Sequence, residues 1–234
     1  MTAPLTDDPW PTALDLHRQG RLNDARHHYL AVLSAHPGHL QALQRLGVLA
    51  CQLGEFDNAV ATLQAALRAS PGHADVWCNL AMAHMAQGRL NDALASANRA
   101  LALDDSLAPA WFNRGLAQRL LGRAQPAVLS LDCALALQPG YVKAWSTRGR
   151  ALMDLHRFDE AVRSLDRALS LAPGLPEAWF SRGNALLATG RAHEAVASYD
   201  RALALHPGHV HARHNRALAQ RQGRQGDLAA GGAG

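Results

Sequence analysis

Lysine is almost missing from this chain. Lys143 is the only one, and arginine supplies the rest of the 23 basic side chains. With a formal net charge of +4 and no basic run, broad nucleic-acid binding is not expected. Cysteine is scarce as well. Cys51, Cys78 and Cys133 are widely spaced and form no CxxC pair, which argues against a disulfide framework and for a reducing compartment. Aromatic residues make up 5% of the chain, and alanine and leucine dominate its hydrophobic 48%, a balance that favours helix over sheet. No run reaches the ~18 apolar residues of a membrane helix. The opening "MTAPLTDDPWPTALD" carries early acids where a secretory leader has an apolar segment. A cytoplasmic protein without a membrane partner is expected. No GxSxG, P-loop or Rossmann glycine pattern is present, so no enzyme and no cofactor are expected either.

What is present is a period. Pro37, Pro71, Pro139, Pro173 and Pro207 lie on one grid of 34 residues, interrupted only at Asp105. Ala25, Ala59, Ala93, Ala127, Ala161 and Ala195 fill another slot without exception. Leu33, Leu67, Leu101, Leu135, Leu169 and Leu203 fill a third, and Trp77, Trp111, Trp145 and Trp179 a fourth. A period of this length marks an array of stacked supersecondary units.

Each unit reads as two helices. The first, such as 109–121, spaces Trp111, Gly115 and Leu116 roughly as one helical face. It stops at Gly20, Gly54, Gly88, Gly122 or Gly190, residues suited to the left-handed position after a helix C-terminus. His156 takes that slot in the fifth unit, so a positive φ is expected there. The second helix is expected to open on cap-like Asn23, Asp57, Asn91 and Asp159, with Pro126 tolerated in the first turn. It ends before "HPGH", "SPGH", "QPGY", "APGL" and "HPGH". The expected organisation is a frayed N-terminus over 1–8 and a solenoid over 9–222. Its repeats span 6–39, 40–73, 74–107, 108–141, 142–175 and 176–209, with a capping helix at 210–222 and a flexible tail at 223–234.

The unit with Trp111, Gly115, Ala127 and Pro139 in their slots resembles the tetratricopeptide repeat, and the resemblance covers most of the chain. Departures occur in the tyrosine slot, which holds Ala50, His84, Gln118, Leu152 and Leu186, and the first unit lacks both Trp and Gly. The resemblance implies an all-α solenoid in which paired helices wind into a right-handed superhelix. It also implies a concave groove, lined by the first helices, that binds a peptide or protein segment.

Arginine recurs at one unexpected slot of the first helix: Arg114, Arg148, Arg182 and Arg216, where earlier units have Leu46 and Leu80. A charge in a leucine slot is costly unless paired. Asp132, Asp166 and Asp200 enter one slot of the second helix over the same stretch, where Gln64 and Asn98 stand earlier. Two pairings fit: within a unit, as Arg114–Asp132, or between units, as Asp132–Arg148. Snorkelling of the arginines to water is the alternative.

The remaining face of the first helix carries the candidate groove residues. Asn79, Asn113, Thr147, Ser181 and Asn215 share a slot of short hydrogen-bonding side chains, able to donate and accept along an extended peptide. The array of O-linked N-acetylglucosamine transferase is similar in having asparagine there, and presentation of substrate to such a glycosyltransferase is the alternative function. Phe112 and Phe180 are candidate anchors for a partner's side chains, or else pack on a neighbouring first helix. Arg119, Arg150 and Arg221 tilt the second half toward acidic peptides. Family members that clamp chaperone carboxylates need lysines and asparagines in set slots; Asn184 and Asn215 match, but Phe180 stands in place of a lysine. The histidines of "HPGHVHARH" straddle a turn and are not expected to hold a metal. Self-association through the uncapped first unit is a further expectation.

Overall fold

The structure, a computed structural model, describes residues 9–231, and the regular elements among them are helices. Thirteen are present among the described residues. They are α1 (Pro9–Arg18), α2 (Leu22–Ala35), α3 (Leu40–Gln52), α4 (Phe56–Ala69), α5 (Ala74–Ala86), α6 (Leu90–Leu103) and α7 (Ala108–Leu120). Next come α8 (Ala124–Leu137), α9 (Val142–Asp154), α10 (Phe158–Leu171), α11 (Pro176–Ala188), α12 (Ala192–Leu205) and α13 (Val210–Gly231). The expectation of a frayed segment over 1–8 lies outside the described residues. The helices gather into two compact units that divide between Ala117 and Gln118, inside α7.

Within each unit consecutive helices pack on one another, as short connections require of an α-solenoid. Successive odd-numbered helices also touch, α3 with α5, α9 with α11 and α11 with α13, more closely than successive even-numbered ones. The odd helices therefore line the tighter, inner side of each stack.

Small residues let the paired helices approach. The alanine slot, Ala25 to Ala195, is wholly buried in every repeat. A Cβ on Gly47 would lie 2.6 Å from Leu63 Cγ, one on Gly149 2.7 Å from Leu165 Cγ, and one on Gly183 2.5 Å from Tyr199 Cε1. These distances are far inside van der Waals contact. In the third repeat the two slots hold Ala81 and Ala97, both buried, so a larger residue on the first helix accompanies a smaller one on the second.

The turns obey the reading closely. The five turn glycines have φ between 73° and 77°, and His156 adopts φ 59° in the same position. There the N–H of Arg157 reaches back to the Leu152 carbonyl at 2.9 Å, as the N–H of Glu55 does to Ala50 after Gly54. At the inter-repeat turn the indole N–H of Trp77, Trp145 and Trp179 donates to the carbonyl of Pro71, Pro139 and Pro173 at 2.9 Å, and Trp111 donates to Asp105 at 2.7 Å. Arg213 occupies the tryptophan slot of α13 and gives the same bond to Pro207, at 2.9 Å. A long arm ending in an N–H serves in either case.

Two expectations are corrected. Asn23, Asp57, Asn91 and Asp159 are the second residue of their helices, not the cap; the cap position holds Arg21, Glu55, Arg89 and Arg157, with no side-chain cap bond. Instead the arginines reach forward to the acid three residues on, as in Arg21–Asp24 at 2.7 Å and Arg157–Glu160 at 2.6 Å, placing a carboxylate against the helix N-terminus. The capping helix also runs past 222, to Gly231, where a flexible tail is expected from 223; residues 232–234 lie outside the described residues. Glycine within a helix costs only about 1 kcal/mol and does not stop it, unlike proline. Gly223 is moreover buried against the His193 ring of α12, where a Cβ would meet Nε2 at 3.3 Å.

The arginines pair between repeats. Arg148 Nε lies 2.6 Å from Asp132 Oδ1, Arg182 Nε 2.5 Å from Asp166 Oδ1, and Arg216 Nε 2.6 Å from Asp200 Oδ1. The other arm of Arg148 donates to Ser164 Oγ, and that of Arg182 to Ser198 Oγ, each at 2.7 Å. Each of these two arginines thus ties the preceding second helix to its own. Arg114, which follows Asn98 rather than an aspartate, has its guanidinium 4.0 Å over Trp111.

Two outcomes follow for stability. A double-mutant cycle on Arg182 and Asp166 in urea should give a coupling of about 0.5–1 kcal/mol, modest because the carboxylate is half exposed. Arg182→Leu combined with Asp166→Gln, the pair that Leu80 and Gln64 supply naturally, should fall within about 0.5 kcal/mol of wild type; zero coupling would mean that the arginines work through water. His156→Gly should raise the urea midpoint by the equivalent of about 1 kcal/mol, since only glycine occupies a left-handed position without steric cost.

Candidate functional site

On the inner side of the second unit, α9, α11 and the last residues of α7 enclose a cleft of about 210 Å³. Five of the residues singled out from sequence line it: Arg119, Arg150, Phe180, Ser181 and Asn184. Met153, Asp154 and Glu177 complete the wall and were not anticipated.

Its charges are balanced. Arg119 Nε lies 3.0 Å from Asp154 Oδ2, the arginine side chain being 14% exposed and the carboxylate 45%. Burial, followed by the neighbouring Arg150 charge, pushes the Arg119 pKa down, and Asp154 opposes both. Glu177 Oε1 faces His209 Nε2 at 3.4 Å. Two arginines against two carboxylates do not make the basic surface expected from Arg119 and Arg150 alone. The missed partner has a signature: 119 and 154 are one repeat plus one residue apart, as are Asn113 and Cys78, so this offset marks side-by-side contacts between successive first helices.

Phe180 is half-buried. Its ring centroid is 4.6 Å from that of His209, at the start of α13, and 6.1 Å from that of Tyr199. It packs on a neighbouring first helix and lines the cleft at once. His209 accepts the Ala212 N–H at Nδ1, as His39 accepts that of Ala42. Histidine in two of the three "PGH" turns is thus a helix cap, a role that its spacing alone did not reveal, whereas His73 holds the same position without a side-chain cap bond. Asn184 and Asn215 do meet: Asn184 Oδ1 accepts from Asn215 Nδ2 at 2.9 Å and from the Tyr199 hydroxyl at 2.8 Å. Burial pushes the Tyr199 pKa up to about 12, so the hydroxyl stays a donor.

The row of short polar residues is not uniformly open, which corrects the expectation for Asn113. That side chain is 1% exposed and its Nδ2 donates to the Cys78 carbonyl at 3.1 Å and to Cys78 Sγ at 3.3 Å. The neighbouring helix comes close enough to consume the amide. Cys78 itself is pushed up to about 11 by burial and remains a thiol. Asn79 and Thr147 are half exposed and make no side-chain hydrogen bond among the described residues; Ser181 is buried at the cleft. Phe112 is half-buried on α7. The likeness to the asparagine row of the glycosyltransferase array therefore does not hold at Asn113. Among the described residues no three His, Cys, Asp or Glu side chains converge as a metal site requires, and no helix is long and apolar enough to cross a membrane.

Comparison with known proteins agrees with this architecture. No curated protein matches the sequence. Among solved structures, the hetero-tetramer Cut9–Hcn1 of the APC/C aligns with TM-score 0.82 at 19% identity, over 89% of this chain and 41% of that one. TTC0263, a thermophilic TPR protein of Thermus thermophilus, aligns with TM-score 0.63 at 27% identity, over 77% of this chain and 98% of its own. YrrB, described as a TPR protein with an unusual peptide-binding site, aligns with TM-score 0.64 at 18% identity, over 80% and 96%. A tetratricopeptide-repeat family profile matches residues 12–74, 146–210 and 182–234, and a second such profile matches 52–113. With the repeat period, the hairpin stack and the profiles in agreement, the chain belongs to the tetratricopeptide-repeat family.

Proposed function

We propose that this chain is a protein–protein interaction scaffold that holds an extended peptide segment along the inner faces of its odd-numbered helices, anchored at the α9–α11 cleft. The family and its structural neighbours support a scaffold of this kind. The observation that carries the finer reading is the convergence of Phe180, Asn184 and Arg150 on one cleft. Phe180 offers an apolar surface, Asn184 an amide held in place by Tyr199 and Asn215, and exposed Arg150 a charge at the rim. An anchor side chain on the aromatic ring with backbone groups on the amide is the economical way to hold an extended segment. The balanced charge of the wall suits a segment of mixed sign.

Selection of a displayed peptide library on the full chain tests this. Selected peptides should lose about tenfold or more in affinity, ~1.4 kcal/mol, on Asn184→Ala and on Arg150→Glu, and none on Arg167→Ala, an exposed residue of the α8–α10 cleft. Equal loss on all three variants, or no enrichment, would overturn the reading. Asp154→Asn supplies a second check. It leaves Arg119 beside Arg150 without its carboxylate, so stability should fall by about 1–2 kcal/mol, less than for a fully buried pair because Asp154 is half exposed. Peptides bearing carboxylates should at the same time bind more tightly at low salt, as measured by calorimetric titration.

A further inference from the structure

A cleft of about 580 Å³ opens on the other side of the first unit, where α4 and α6 flank α5. Leu67, Trp77, Leu80 and His84 line it, together with Arg68, Arg99 and Asp92, whose carboxylate is already paired with Arg89 at 2.8 Å. Its counterpart two repeats on, between α8 and α10, has a nearly equal volume of about 590 Å³. Arginines stand at the rim of both: Arg68 and Arg99 in the first, Arg163 and Arg167 in the second. The floors differ. In the second cleft Arg148 lies across the floor, held by Asp132 and Ser164, with its guanidinium 6.0 Å over Trp145. In the first, Leu80 replaces that arginine and Gln64 replaces the aspartate.

The exchange has a measurable effect on Trp77. Trp111, Trp145 and Trp179 each have an arginine over the ring, whereas among the described residues Trp77 has none. Its indole N–H is satisfied by Pro71, which leaves the ring face as apolar surface. His84, 4% exposed, adds to that surface, since burial pushes its pKa down and keeps it neutral. Arg68 and Arg99 are exposed and make no ion pair among the described residues. An apolar floor between two unpaired cations complements one kind of ligand.

We propose that the α4–α6 cleft is a second peptide-binding site, one that takes a large apolar side chain flanked by carboxylates. The side chain lies on Trp77 and Leu80, and the carboxylates meet Arg68 and Arg99. The site shares no lining residue with the α9–α11 cleft, and it goes beyond the function proposed above.

The probe is a capped peptide with a central leucine between glutamates, titrated into the full chain labelled with nitrogen-15. The Trp77 indole resonance, assigned by Trp77→Phe, should shift saturably, and that of Trp145 in the matching cleft should stay in place. A glycine-centred peptide and a lysine-flanked peptide should leave Trp77 unmoved. Leu80→Arg with Gln64→Asp, which installs the ionic floor already present two repeats on, should abolish the shift with the fold retained by circular dichroism. Arg68→Ala with Arg99→Ala, both at exposed positions, should weaken binding about tenfold, and Asn184→Ala should have no effect. The proposal is overturned if Trp77 and Trp145 respond alike or not at all, if the lysine-flanked peptide binds equally, or if Leu80→Arg with Gln64→Asp still binds. A Trp77 shift that depends on protein concentration alone, the mark of a second copy in the cleft, would overturn it as well.

Discussion

Every repeat depends on how closely two helices can approach at one small-residue slot. Gly47, Gly149 and Gly183 put bare backbone against Leu63, Leu165 and Tyr199, and the flanking alanine slot is sealed from water. Interiors are packed too tightly to absorb an added methyl there without displacement. The separation of the paired helices sets the tilt of each hairpin, and the tilt determines which side chains of successive first helices come side by side. The α9–α11 cleft, the Asn113–Cys78 contact and the Arg119–Asp154 pair all rest on that spacing.

Much of this was legible because repetition multiplies weak signals. The helix pairs, the turn glycines and the left-handed His156 follow from slots that recur at 34 residues. The arginine–aspartate pairing was legible as a pairing but not as a direction. Both slots lie at similar depth from the turn, and only the stacking of hairpins decides for Asp132–Arg148. The inner surface was harder to read. Asn113 looks like Asn79 in sequence, yet one is consumed by the helix beside it and the other is half exposed, a difference set by local approach. Asp154 and Glu177 sit in slots that carry no repeated residue type, so periodicity was blind to them. The helix caps misled for a related reason. Asn and Asp near a turn suggest a cap, but the tight glycine turn brings arginine to that position and leaves the acid to answer from within the first turn.

The two clefts on the outer side show how one scaffold changes its chemistry without changing its shape. Their volumes are almost equal, and every slot that lines the second also lines the first, which adds His84 and Asp92. Replacing one arginine by leucine, and its partner by an amide, turns an ionic floor into an apolar one. The inner cleft is different again, with an aromatic ring, a fixed amide and balanced charges. Three surfaces of distinct character thus arise from a single hairpin design.

Because each ladder arginine draws its acid from the hairpin before it, the repeats are not freely interchangeable beads. A hairpin copied from the second half by gene duplication would keep its ion pair only when placed behind another aspartate-bearing hairpin. Behind Gln64 the same copy would meet an amide and a leucine-lined neighbour. The array therefore has a grammar of succession: an arginine-bearing hairpin keeps its ion pair only behind an aspartate-bearing one.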